Sequence, residues 1–195
     1  MHPRQSVESW GFSVENINEV YIQNFMPFQS EKLLILDRDG TLNEDNGYEY
    51  SKANLFIFPY AVDFLIKASN LGFGMVLATN QGGAALGKFS IEQSLEFNAA
   101  VAAELLQKGI VLSSAYICFH HPLSLNPEKQ SCTCRKPKPG MLGRALLDCE
   151  VSSDNALMIG DQETDAEAAA GAGIKFRKVG NRASWDLATT YLEEF

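Results

Sequence analysis

Runs of β-rich apolar residues at Leu33–Asp37, Phe73–Thr79, Ala115–Phe119, Ala156–Gly160 and Ile174–Val179 alternate with stretches of helical spacing. This alternation is the signature of βαβ units around a parallel sheet. Tyr60–Leu71 sets Ala61, Phe64, Leu65, Ala68 and Leu71 at helical intervals, and Gly72 supplies a stop. Ser90-Ile91-Glu92-Gln93 reads as a capping box opening a helix to about Lys108, with Gly109 after it. Pro139 suits the first turn of a helix over Gly140–Cys149, and Thr164–Ala170 is an Ala-rich helix closed by Gly171 and Gly173. The predicted fold is α/β, a three-layer sandwich with a mostly parallel sheet.

Residues 1–31 stand apart from this pattern as an N-terminal extension to a domain spanning 32–195. Ser13 is placed to cap a short helix with Val14, Ile17, Val20 and Tyr21 on one face, ended by Pro27. The segment is expected to pack on the domain or on a second subunit. No internal repeat or low-complexity tract interrupts the chain.

Composition narrows the class. The 195 residues are 46% hydrophobic and 21% charged, ordinary for a soluble globular domain with a substantial core. A net charge of −8 argues against nucleic acid as a main partner and leaves a small phosphorylated metabolite open. No basic leader precedes an apolar run, and no apolar stretch reaches the ~18 residues a membrane span needs. A cytoplasmic protein without a membrane partner is expected, as a monomer or weak homo-oligomer. Three of four cysteines crowd into Cys118–Cys134, while Cys149 sits in an apolar helical stretch. Such clustering suits a metal site in a reducing compartment better than a disulfide framework.

The chemistry concentrates where strands end. Asp37-Arg38-Asp39-Gly40-Thr41 follows Leu33-Leu34-Ile35-Leu36 directly. Side chains two apart in extended chain point the same way, so Asp37 and Asp39 can face one reactive group. Two like charges that close need a cation or a shared proton. The pair reads as a Mg²⁺-dependent phosphoryl-transfer site with one Asp as nucleophile and the other as acid/base, set against an acidic, solvated turn. Thr79-Asn80-Gln81-Gly82-Gly83 offers a hydroxyl, amides and glycine N–H groups that can approach an anion. Asp161 and Asp165 form a second acidic pair at a helix start, and Arg135-Lys136 lies in a basic loop before a helix. Open parallel sheets bind ligands at the carboxyl ends of their strands, so all four elements converge on one crevice.

A second constellation is Cys118-Phe119-His120 followed by Cys132-Thr133-Cys134. Four N/S ligands in this arrangement suit closed tetrahedral coordination of a structural Zn²⁺, which would tie down loop 118–134. His121 is an alternative ligand, though strand parity with Cys118 favours His120.

These motifs, in this order, resemble the haloacid-dehalogenase-like (HAD) phosphatases over roughly residues 32–180. The resemblance implies a Rossmann-like, HAD-type sandwich. It implies that Asp37 forms an aspartyl phosphate and that Asp39 protonates the leaving alcohol and then activates water. It also implies that Thr79 and Lys136 hold the phosphoryl oxygens, and that Mg²⁺ sits on the Asp37 carboxylate, the Asp39 carbonyl and Asp161, with Asp165 nearby. Cys-x-His, then Cys-x-Cys-Arg-Lys-Pro-x-Pro-Gly-Met, is similar to the group holding D-glycero-D-manno-heptose 1,7-bisphosphate phosphatases and histidinol-phosphate phosphatases. Further likeness lies in Asp45-Asn46-Gly47-Tyr48 and Gly87-Lys88-Phe89. Leu86 and Gln162 depart from the group, which commonly carries a basic residue at each position.

The gaps between motifs leave no room for a separate cap domain. An open site is therefore expected, walled by Leu42–Phe58 and the zinc loop. Asn80, Gln81, Gly82 and Arg135 are candidate substrate contacts, and Lys88 and Lys138 could grip a distal anionic group. The resemblance implies a sugar-phosphate phosphatase, with heptose 1,7-bisphosphate losing its 7-phosphate as the leading substrate. Histidinol phosphate is the alternative substrate, and a zinc-stabilised binding module with a vestigial site the alternative of another class.

Overall fold

The computed structural model describes residues 13–17, 19–48 and 51–195. Seven strands form one sheet: β1 (Ser13–Ile17), β2 (Val20–Asn24), β3 (Lys32–Leu36), β4 (Phe73–Asn80), β5 (Leu112–Cys118), β6 (Ala156–Gly160) and β7 (Lys175–Lys178). Five α-helices pack on it: α1 (Pro59–Asn70), α2 (Ile91–Gln107), α3 (Gly140–Cys149), α4 (Glu163–Gly171) and α5 (Arg182–Glu194). The strand order is β1-β2-β5-β4-β3-β6-β7. Strands β5, β4, β3, β6 and β7 run parallel, and β2 joins β5 antiparallel.

The alternation within β3 divides the core. Leu34 and Leu36 face the layer that holds Phe64 and Leu65 of α1, Phe97 and Val101 of α2 and Trp185 of α5. Leu33 and Ile35 face the other, with Met141 and Leu142 of α3 and Ala168 and Ala169 of α4. All four β3 side chains are fully buried, so each contributes on the order of 1.5–3 kcal/mol. Leu34→Ala would open a cavity costing about 2–5 kcal/mol.

The predicted parallel strands fall where the apolar runs lie, and the capping box at Ser90 closes in both directions with Gln93. In α1, Ala61, Phe64, Leu65 and Ala68 form the buried face, but Leu71 lands at the C-cap and is exposed. Gly72 follows at φ +82°, a left-handed turn that glycine enters without a Cβ penalty.

Two corrections concern the ends of the chain. The helix expected after Ser13 is a β-hairpin, in which Ser13 pairs with Asn24 and Ile17 with Val20. Strand β2 then pairs with β5, Gln23 lying opposite Ala115. Val20 and Ile22 are buried while Tyr21 packs on the opposite layer, a period-2 pattern that pairing with an open sheet edge rewards over the helical reading. Ser13–Ile17 and Val20–Asn24 thus extend the same sheet. The turn between the strands carries Glu19 at φ +71°, an uncommon conformation for a residue with a Cβ. At the other end, α5 was not expected. Trp185, Ala188 and Leu192 are its buried stripe, and Asn181 caps it by accepting from the Ser184 N–H.

Candidate active site

The carboxyl ends of β3, β4 and β6 meet the loop before α3 at a cleft of about 500 Å³. Asp37, Asp39, Thr79, Asn80, Gln81, Gly82, Arg135, Lys136 and Asp165 all line it. Asp45, Gly47 and Tyr48 contribute from one side, and His121 borders it from the zinc-loop side. Among the described residues, only α1, α2, β5 and loops lie between β3 and β4 and between β4 and α3, so no cap domain covers it.

Lys136 is buried at the floor. Its ammonium donates to Asp37 Oδ1 at 2.6 Å and to the Ala78 carbonyl at 2.8 Å, and pairs with Asp165 Oδ1 at 2.6 Å. Three donors meet three acceptors, and the two carboxylates hold Lys136 firmly in its charged form despite burial. Asp37 is pushed up to about 7. Burial is the main cause, and the nearby Asp165 and Asp39 add to it, with Lys136 pulling the other way. Asp165 Oδ2 accepts the Gln162 N–H at 3.0 Å, so both of its oxygens are engaged.

Thr41 joins two of the carboxylates. Its hydroxyl lies 3.1 Å from Asp161 Oδ1 and 3.3 Å from Asp37 Oδ2. Gly40 makes this approach possible, since a Cβ there would sit 2.8 Å from Asp161 Oδ2 and the backbone is at φ +81°. One oxygen each of Asp37, Asp161 and Asp165 lie within 4.8 Å of one another, a spacing that could hold a hard cation.

Asp39 is held by four donors. Arg38 grips it through Nε–Oδ1 at 3.0 Å and Nη2–Oδ2 at 2.7 Å, Asn43 donates to Oδ1 at 3.1 Å, and Gln81 to Oδ2 at 2.9 Å. Burial pushes its carboxyl up, but the Arg38 charge and these donors outweigh that and hold it below the usual range. Gln81 also donates to the Thr79 hydroxyl at 2.7 Å, linking the two strand ends. Asn80 turns its amide to the backbone of Lys136, donating to the carbonyl and accepting the N–H, each at 3.0 Å. Lys138, expected to grip substrate, instead donates to the Cys132 carbonyl, and neither it nor Lys88 lines the cleft.

Beside the cleft, Cys118, His120, Cys132 and Cys134 bring their ligand atoms within 4.8 Å of one another. The Cys118–Cys132 sulfurs are 3.7 Å apart, and His120 Nδ1 lies 3.6 Å from Cys118 Sγ and 3.5 Å from Cys134 Sγ. A tetrahedron with Zn–S of ~2.3 Å and Zn–N of ~2.05 Å has edges of ~3.8 and ~3.6 Å. Disulfide bonding would bring sulfurs to ~2.05 Å, and all four cysteines are free. A hydrogen bond from Cys134 pulls the Cys118 thiol down to about 6, while that same bond, with burial, pushes Cys134 up, and burial pushes Cys132 up. Three adjacent sulfurs cannot all ionise without a cation among them. His121 turns elsewhere, its Nδ1 accepting the Leu123 N–H, and Cys149 stands apart on α3.

Comparison with known proteins follows the same lines. The HAD-hydrolase-like family matches residues 133–182. A Thermoplasma volcanium protein named a probable D-glycero-D-manno-heptose-1,7-bisphosphate 7-phosphatase is 38% identical over 75% of this chain and 97% of its own. The Haemophilus influenzae D-glycero-beta-D-manno-heptose-1,7-bisphosphate 7-phosphatase is 37% identical over 74% of this chain and 78% of its own. Among solved structures, the D,D-heptose 1,7-bisphosphate phosphatase of B. bronchiseptica, complexed with magnesium and phosphate, superposes with a TM-score of 0.68. It is 31% identical and covers 80% of this chain and 86% of its own. The fold and site define a hydrolase of phosphate monoesters. The chain belongs to the HAD-like phosphatases.

Proposed function

We propose that this chain is a Mg²⁺-dependent phosphatase that removes the 7-phosphate of D-glycero-D-manno-heptose 1,7-bisphosphate through an aspartyl phosphate on Asp37. The observation that carries it is the Lys136 ammonium fixed between Asp37 and Asp165 at the cleft floor. That arrangement keeps a carboxylate nucleophile beside a permanent positive charge, which a dianionic phosphoryl group needs on approach. The substrate assignment draws on the names of the relatives that align over most of this chain.

In this reading Asp37 attacks phosphorus while Asp39, ionised in the free site and so taking up a proton as the anionic substrate binds, gives that proton to the departing sugar oxygen. Asp39 then takes a proton from the water that cleaves the aspartyl phosphate, releasing inorganic phosphate and restoring Asp37. Thr79 and Lys136 hold the phosphoryl oxygens, and Gln81, Gly82 and Arg135 lie along the cleft for the rest of the substrate. Asn80 serves the same site by fixing the backbone of Lys136.

Mg²⁺ fits the oxygens of Asp37 and Asp161, with the Asp39 carbonyl as third protein ligand and Asp165 reserved for Lys136. When bound, it would neutralise charge on the phosphoryl group. A cation there would also draw Asp37 down from about 7 and keep it ionised as a nucleophile. Zn²⁺ fits the closed Cys₃His quartet as a structural ion. Free cysteines suit a reducing, cytoplasmic setting, and no helix among the described residues is long and apolar enough to cross a membrane.

Phosphate release from a panel holding heptose 1,7-bisphosphate and histidinol phosphate, with and without Mg²⁺, tests the reading. Fastest Mg²⁺-dependent turnover of the heptose ester is expected. Preference for histidinol phosphate would overturn the substrate, and release without Mg²⁺ would overturn the metal's role.

A further inference from the structure

Arg38 occupies an unusual place for a charged residue. It is fully buried between two catalytic candidates, its guanidinium 4.9 Å from the centre of the Phe97 ring. While Nε and Nη2 grip Asp39, Nη1 donates to Asn98 Oδ1 at 2.7 Å. Asn98, also fully buried, donates in turn to Gln23 Oε1 at 3.3 Å. Gln23 closes the series by donating to the Leu95 carbonyl at 3.0 Å. A chain of buried polar groups therefore runs from Asp39 through α2 to the second strand of the N-terminal hairpin.

Burying a guanidinium and two amides is costly unless each is matched, and a matched network rigidifies the groups it joins. Both oxygens of Asp39 are saturated, each accepting one Arg38 bond and one bond from an amide. The two amides are neutral donors that can yield a position to the leaving oxygen, whereas the Arg38 fork is charge-assisted and fixed from behind. The fork is thus the part that sets where the carboxylate points. Small displacements of a group that transfers a proton in the reaction carry large penalties.

We propose that Arg38 is a positioning residue for Asp39, anchored through Asn98 by Gln23 of the N-terminal hairpin. This rests on the reading of Asp39 as acid/base, so the test must separate the two. Proton donation matters for an alkoxide leaving group and little for p-nitrophenolate, which departs unprotonated, whereas water attack on the aspartyl phosphate needs Asp39 for both esters, so the quantity compared is the single-turnover rate of leaving-group release. The full-length enzyme and its Asn98→Leu, Gln23→Met, Arg38→Lys and Asp39→Asn variants are compared on two substrates. One is p-nitrophenyl phosphate; the other is the heptose bisphosphate or, failing that, the best alkyl phosphate of the panel.

Asn98→Leu and Arg38→Lys are expected to lower the single-turnover rate of release from the alkyl ester about 100-fold, with half-saturation within threefold, and to lower it less than fivefold on the aryl ester. Gln23→Met is expected to show the same selectivity at about tenfold. Should Asn98→Leu fail to fold by circular dichroism, Gln23→Met carries the test, because it lies at the far end of the relay. Equal losses on both esters, or no loss on either, would overturn the proposal. If Asp39→Asn itself slows leaving-group release from both esters equally, the acid reading of Asp39 fails instead, which is a distinct result.

Discussion

The carboxylate floor and the cysteine loop each bring together groups that could hold a cation, yet they differ in what they leave over. In the loop, four ligand atoms lie close together, at separations matching the edges of a tetrahedron, which would leave a bound ion no position for a substrate. On the floor, Asp37, Asp39 and Asp165 line an open cleft, and two of them, Asp37 and Asp165, pair with Lys136. A closed shell turns metal affinity into folding energy. An open shell leaves Asp37 buried and crowded by Asp165 and Asp39, which pushes it up to about 7, and a cation bound there would relieve that crowding. Positioning for chemistry and positioning for stability thus differ in how completely the set of ligand atoms is closed.

The sharpest way to break this contrast is at the nucleophile. Asp37→Asn should abolish turnover by on the order of 10⁴-fold or more while leaving zinc content unchanged, measured by phosphate release and metal analysis. Residual activity near wild type would remove Asp37 from the chemistry. Lys136→Met should come next, with a fall in kcat/KM on the order of 10³-fold. It should also cost about 3 kcal/mol, since Asp37 and Asp165 lose their buried partner. Thermal melts at matched Mg²⁺ would read the second effect.

On the loop side the balance should invert. Cys134→Ser should lose the zinc and lower Tm by about 6–12 °C, while kcat falls less than tenfold. An unchanged melt, or protein purified without chelator that carries no zinc, would refute the closed-shell reading. The smallest effect should come from Glu19, whose carboxylate accepts the Thr133 N–H at 2.8 Å and hydroxyl at 3.0 Å. Those bonds hold its carboxyl below the usual range. Glu19→Gly removes them but relieves the strained φ, so a net change within about 1 kcal/mol is expected in denaturant titration.

How much of this could be read in advance depends on how local each signal is. The parallel strands were legible because residues such as Leu33–Leu36 are apolar on both faces, which nothing but a buried strand or helix tolerates. The Asp37/Asp39 pair and the cysteine quartet were legible because their spacing within a few residues already implies a shared target. The hairpin was misread because Val14, Ile17, Val20 and Tyr21 satisfy a helical spacing equally well, and only the free edge of β5, far along the chain, decides between the two. Helix α5 escaped notice because its buried stripe is thin, Trp185, Ala188 and Leu192 among exposed polar residues. Gln23 and Asn98 were invisible for another reason. A lone amide in sequence looks like surface, and its burial follows only from what it meets in the fold. Lys138 shows the converse: a basic residue beside a motif was assigned to substrate, but the loop claims it.

The order of the strands also bears on how the chain is assembled. The hairpin is made first, yet its partner β5 emerges about 90 residues later, after β3, α1, β4 and α2. Until then Val20, Ile22 and Tyr21 have no surface to cover, and an isolated hairpin is marginal in water. Closing so long a loop makes this pairing slow relative to the local βαβ steps. The sheet should therefore form from its centre outward, with the hairpin docking last on a nascent edge. During synthesis that edge is the point most exposed to pairing with another chain.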